Sequence, residues 1–215
     1  MTLPAPRHRT RLRLVAAALL ALVATPATVG VAQALPPAPP GVAESRTMLD
    51  GLHVGYEDPD GYDRDAFTHW ITVDGCTTRE TVVERDGRDV VLDSSCRATS
   101  GTWDSVYDDT SFTDASDLDI DHVVPLAEAW RSGANLWDDD ERRAFANDLA
   151  IPQLVAVSAS SNRSKGDRDP GDWQPPSTGW HCEYALSWIQ VKHQYDLEVD
   201  ATERSALVGM LDASC

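Results

Sequence analysis

Two short apolar runs, residues 118–124 and 154–157, constrain this chain most, because each is followed by residues that dictate what comes next. The first carries Asp121 and His122 side by side and is stopped by Pro125, which has no N–H to offer a ladder. The second runs into Ser158, a good helix N-cap, and Gly166 closes the short helical stretch beyond it. Strand, strand, helix is therefore the expected centre, with helical patterns at 126–132 and 138–148 filling the interval. Neighbours on a strand point to opposite faces, so Asp121 and His122 can share one site only where the strand bends into a loop. Pro125 and the helical segment after it make that bend.

Elsewhere the pattern is equally mixed. Helical signal starts around Ser45, and residues 55–65 are a turn-rich acidic loop. Asp58 and Asp60 hint at a calcium loop, but the twelfth position is His69 and Gly61 falls too early, so an ordinary turn is expected. Residues 77–85 read as a helix capped by Thr77 or Thr78, with Glu80 in its first turn. Residues 89–92 and 97–103 read as short strands with turns at 86–87 and 93–95. Two helices end the chain: one with Tyr184, Trp188, Val191 and Tyr195 as a core stripe, the other opening on Asp200 and Glu203 with Leu207, Met210 and Leu211 inward. The expected class is α+β.

Residues 1–34 read as an export signal: Arg7, Arg9, Arg11 and Arg13, an apolar run over 14–23, then Ala32-Gln33-Ala34. Ten apolar residues are too few to span a bilayer, which takes about 20. Residues 35–50 are then a proline-rich tether and the start of the first helix, and 51–215 the domain, expected as a secreted monomer without stable membrane association. Removing the signal takes away four of the 18 Lys+Arg and none of the 35 Asp+Glu, so the net charge falls from −17 to −21. Such acidity argues against a protein that grips duplex through many phosphates, but not against an enzyme needing a metal and a few local cations. Cys76, Cys96, Cys182 and Cys215 are even in number without a C-x-x-C, so in an oxidising compartment they read as disulfides. Cys76–Cys96 and Cys182–Cys215 is the favoured pairing, each worth about 3 kcal/mol in the chain-entropy model.

Chemistry concentrates around the two strands. Histidine suits a general base near neutral pH, and hard oxygen ligands hold Mg²⁺ or a similar ion. His122 fits the first role, Asp121 and Asn162 the second, and Lys165, one turn beyond Asn162, is expected to meet a phosphate as a point charge. Arg142, Arg143, Arg163 and Arg168 are further candidate phosphate contacts, with Arg163 and Arg168 preferred. Glu128 is expected on a solvated helix face, and His69, His181 and His193 as structural or exposed residues.

Asp121-His122-Val-Val-Pro125, then Gln153-Leu154, then Asn162-Arg-Ser-Lys165-Gly-Asp167, resembles the HNH, or ββα-metal, endonucleases. More narrowly the chain is similar to exported actinobacterial HNH-type proteins, which carry stretches like 61–64, His69-Trp70, Cys76 with Thr78-Arg79-Glu80, 146–148 and Trp173 with Pro175-Pro176. The resemblance covers about 61–215. It implies a ββα-metal core with flanking strands and C-terminal helices, His122 as general base, Asp121 and Asn162 as metal ligands, and products with 5′-phosphate and 3′-hydroxyl ends. The family's middle residue is usually Asn, which supports the loop and orients the base; here it is Gln153, one methylene longer. Structural zinc cysteines common in the family have no counterpart here, and disulfides are expected in their place.

The resulting expectation is a secreted, metal-dependent endonuclease acting on DNA, with RNA as a further substrate and Mg²⁺, or Mn²⁺, as cofactor. The alternative is a catalytically weak or inactive HNH scaffold exported as a binding module, favoured by the acidity and by Gln153. A phosphoester hydrolase of small substrates is a third reading. No H-E-x-x-H or G-x-S-x-G pattern supports a protease or esterase.

Overall fold

The computed structural model describes residues 1–2 and 36–215, so the body of the expected export signal lies outside the described residues. After the proline-rich stretch the chain enters α1 (Val42–Gly51), three residues earlier than Ser45. The turn-rich segment that follows holds one 3-10 turn, Arg64–Ala66, and leads to a minimal hairpin of β1 (Thr72–Val73) and β2 (Cys76–Thr77). α2 (Thr78–Asp86) begins with the capping box that its sequence announces: Thr77 and Glu80 each satisfy the other's free N–H. It passes without the expected turn into β3 (Gly87–Leu92), which pairs with β4 (Ala98–Ser105) and, through it, β5 (Thr110–Phe112). β5 was not expected from the sequence; three residues of Thr-Ser-Phe carry no readable period.

The expected centre comes next. β6 (Leu118–His122) is followed by α3 (Leu126–Arg131) and α4 (Asp139–Ala146), then β7 (Leu154–Ser158) and α5 (Ala159–Lys165). β6 and β7 pair antiparallel, with Asp119 opposite Val157 and Asp121 opposite Val155. Ser158 Oγ caps α5 by accepting from Ser161 N, and Gly166 ends it at φ +60°, a conformation that favours glycine. α6 (His181–Gln194) and α7 (Ala201–Ser214) close the chain, α7 opening on the Asp200–Glu203 capping box. The described residues thus form a mixed α+β fold of small sheets and seven α-helices, and none of those helices is long and apolar enough to cross a membrane.

The β6–β7 pair separates two apolar clusters. Leu118, Ile120, Leu154 and Ala156 pack with Val82, Val83 and Trp103, while Val155 and Val157 join the larger cluster that contains Tyr184, Trp188, Val191 and Leu207. Among the described residues the outer edge of β7 has no strand partner, and side chains replace one. Asp86 accepts from Ala156 N, Arg85 donates to Leu154 O, and Ser105 Oγ accepts from Ser158 N. Disulfides Cys76–Cys96 and Cys182–Cys215 tie β2 to the β3–β4 turn and α6 to the end of α7. α1 packs onto the C-terminal helices: Leu49 is buried, and Arg46 and Asp50 pair with Asp212 and Arg204 of α7.

Glu128 corrects its expectation. It is fully buried, ion-paired with Lys192 of α6, while Glu203 of α7 completes the cluster at 3.2 Å from the same ammonium. Arg131 Nε stands 2.7 Å from Glu128 Oε2, at ion-pair distance without hydrogen-bond alignment. Glu128 is held inside by a partner 64 residues away, which the local helical pattern does not reveal.

Candidate active site

The alternation of β6 meets the helical repeat of α5. Asp119 and Asp121, two apart on the strand, face Asn162 and Lys165, three apart on the helix. Asn162 Nδ2 donates to Asp119 Oδ2 at 3.1 Å, and Lys165 Nζ donates to Asp121 Oδ2 at 2.7 Å and to His122 O at 2.8 Å. Tyr107 OH donates to the same Asp121 oxygen. Two donors therefore hold Oδ2, and among the described residues no group hydrogen-bonds Oδ1. Burial raises the Asp121 carboxyl and lowers the Lys165 ammonium, and their contact opposes both shifts.

Lys165 does not stand where its sequence placed it. Its side chain is 0% exposed and is not among the residues lining the cleft of Asp121 and His122. Its charge neutralises Asp121 and pins the end of β6 instead of reaching a phosphate. Asn162 has the reverse geometry. With Nδ2 spent on Asp119, its Oδ1 is uncommitted among the described residues, and the residue lines the same cleft as Asp121 and His122.

His122 points to the other face of β6, as strand alternation requires. Its Nε2 is 2.9 Å from Ala146 O, so the proton sits there and Nδ1 keeps its lone pair. Burial pushes the imidazole down to about 3, with a smaller opposing effect from that carbonyl; the ring is neutral at neutral pH. Trp70 lies against it, ring centroids 5.3 Å apart at 33°. Trp70 has φ +59°, rare for a bulky residue, and its flanks are locked by Asn147. The Asn147 amide donates to Thr68 O and accepts from Ile71 N, and Thr78 hydrogen-bonds both Ile71 O and Asn147. The C-terminal end of α4 thus sets both the imidazole, through Ala146, and the loop packed on it, through Asn147.

Gln153 is fully buried, and both ends of its amide are hydrogen-bonded. Oε1 accepts from Val124 N at 3.1 Å and Nε2 donates to Val124 O at 2.9 Å. Val123 N donates to Gln153 O at 2.7 Å. The extra methylene reaches the chain just past His122 and pairs with it as a strand neighbour would.

A cleft of about 430 Å³ opens at the end of β6, lined by Tyr62, Arg64, Ile120, Asp121, His122, Pro125, Leu126, Ala127, Asn162, Arg163, Gly166 and Asp167. Of the expected substrate contacts, Arg163 is there and Arg168 is not; Arg168 Nε donates to Lys165 O at the end of α5. Arg142 is spent on carbonyls of Ala134 and Trp137 and on Asp139. Tyr62, Arg64, Trp70, Tyr107 and Asp119 belong to the site without having been assigned to it. The stretches 61–64 and 69–70 were the visible signal, but nothing local says that they fold onto β6. Two carboxylate trios elsewhere, Glu57 with Asp169 and Asp200, and Glu57 with Glu128 and Glu203, are close enough to hold a cation. The carboxylates of the second are already paired with Lys192 and Arg131.

Comparison with known proteins places this geometry in a family. The chain is 51% identical over 193 residues to an uncharacterized secreted protein of Arthroderma benhamiae, covering 89% of this chain and 93% of that one. No solved structure matches it significantly. Residues 77–210, which include β6, β7, α5 and every residue of the cleft except Tyr62 and Arg64, match the family described as GmrSD restriction endonucleases, C-terminal domain. The chain belongs to that family of restriction endonuclease C-terminal domains.

Proposed function

We propose that this protein is a secreted, metal-dependent endonuclease that hydrolyses phosphodiester bonds of DNA, with RNA as a further substrate. In this reading β6, β7 and α5 form an HNH-type ββα-metal core. Residues 1–34 act as a signal peptide, and the two disulfides and the secreted relative support export. The observation that carries the reading is the orientation of His122: Nε2 is held by Ala146 O, while the ring borders a cleft shared with Asp121 and Asn162.

His122 Nδ1 takes the proton from the attacking water, and Ala146 O stabilises the resulting imidazolium through Nε2–H. A phosphodiester anion in the cleft raises the basicity that burial has suppressed. The oxygen-rich donor set of Asp121 Oδ1 and Asn162 Oδ1 suits Mg²⁺ or Mn²⁺. When bound, such a cation supplies charge neutralisation for the pentavalent phosphate and leaving 3′ oxygen. Lys165 and Tyr107 orient Asp121, Asp119 orients Asn162, and Gln153 holds the backbone that follows the base.

A second reading has one observation in its favour: Lys165 already neutralises Asp121, which a site without a metal would need. The chain would then be an exported binding module on the same scaffold. Incubating the oxidised protein with supercoiled plasmid and Mg²⁺ or Mn²⁺, with and without chelator, separates the two. Metal-dependent nicking lost in folded H122A and H122N supports the nuclease; a plasmid left equally intact by wild type across the metal series rejects it.

A further inference from the structure

With Lys165 buried, the cleft needs another cation for an anionic substrate, and two arginines line it. Arg163 is 77% exposed, and its Nε stands 3.6 Å from Asp119 Oδ2, so part of its charge is already answered. Arg64 is different. Among the described residues it makes no ion pair, and it hydrogen-bonds the Tyr62 hydroxyl, a neutral group that also lines the cleft. In a chain of net charge −17, a cleft-lining arginine without a carboxylate partner is a poor choice for stability and a good one for an anion.

Arg64 also stands on a rigid post. Asp63 Oδ1 accepts from Asp65 N, and Phe67 N closes the 3-10 turn on Arg64 O. Phe67 is fully buried and packs its ring against Trp130 and Phe145. The same segment then carries Trp70 onto His122. Residues 61–70 therefore flank the site at two points, and they lie upstream of the 77–210 range that matches the family.

We infer that Arg64 is the residue that grips the scissile phosphate, its guanidinium fork donating to the non-bridging oxygens while Arg163 gives weaker, tethered support. The inference rests on the phosphodiesterase reading for its substrate. A planar fork matches two phosphate oxygens at once, and its bonds strengthen as those oxygens gain charge in the transition state. Lysine keeps the charge and loses the fork. The segment outside the matched range is thereby part of the machinery, not a leader to it.

Two measurements on the purified, oxidised protein test this. In plasmid cleavage, R64A is expected to lower kcat/KM by about 100-fold or more, the scale of losing one donor to a developing oxyanion. R64K should fall between R64A and wild type, and R97A, an exposed arginine away from the cleft, should match wild type. In fluorescence anisotropy with a labelled single-stranded oligodeoxynucleotide on an H122A background, R64A should weaken binding and reduce the salt slope by about one. An active wild type with R64A equal to it in both assays overturns the role of Arg64 and leaves the nuclease reading standing. An inactive wild type rejects the nuclease reading, and anisotropy then decides alone: affinity lost in R64A upholds a phosphate-gripping role, and affinity retained overturns it.

Discussion

The side-chain amide of Gln153 pairs with both main-chain groups of Val124, accepting from its N–H and donating to its carbonyl. An asparagine at 153, the residue that HNH resemblance leads one to expect, is one methylene short of that contact. Q153N should therefore be less stable than wild type by about 1–3 kcal/mol, the cost of stranding buried polar groups. Urea unfolding measures it, and an unchanged midpoint would show that the length of the side chain is immaterial. In this backbone the longer amide reaches both main-chain groups of Val124.

Lys165 should matter to stability before it matters to substrate. K165M leaves Asp121 charged and unpaired in the interior, a loss of about 3–5 kcal/mol. K165M/D121N removes both charges and should recover much of that in thermal unfolding. If K165M proves as stable as wild type and instead weakens oligonucleotide binding, the ammonium is reaching substrate and the buried pair is not its working state.

Asn147 ties the loop bearing Trp70 to the helix whose carbonyl holds His122. N147A should release Ile71 N and Thr68 O together and cost about 1–3 kcal/mol. Amide hydrogen exchange at Ile71 should accelerate in the variant. Protection equal to wild type would mean that Thr78 alone holds the loop.

Burial raises the Glu203 carboxyl to about 8, with Lys192 opposing, and burial likewise lifts Glu57 to about 7. Between the ordinary glutamate value and these raised values, the folded protein binds protons that the unfolded chain has released. Stability should accordingly fall as pH rises from about 5 to 8. E203Q removes the share of that linkage due to Glu203 and should make the decline shallower. Thermal unfolding across this window checks it, and a rise in stability with pH for wild type, steepened or unchanged in E203Q, would contradict it.

Much was legible wherever the cause was local. Thr77 with Glu80, Ser158, Gly166 and Asp200 with Glu203 set helix ends within a few residues of themselves, so capping chemistry reads directly from the chain. The order β6, β7, α5 followed from the apolar runs and their stop and cap residues, whereas strand alternation alone sets Asp121 and His122 on opposite faces, and they line one cleft with Asn162 because β6 ends there at Pro125.

The sequence by itself determined the longer helices, the order β6, β7, α5, and which residue types gather at the end of β6. Tertiary structure alone decided which of those residues meet solvent. Lys165 and Glu128, polar by composition, are buried because Asp121 and Lys192 come to them from distant segments, and Arg64 reaches the cleft because Phe67 is anchored beneath it. A charged side chain goes inside only when a partner satisfies it there, and that partner is chosen by the fold, not by its neighbours in sequence. The Asp121–His122 pair was visible from the start; that Lys165 is buried against Asp121, and that Arg64 from upstream lines the cleft beside Arg163, was not.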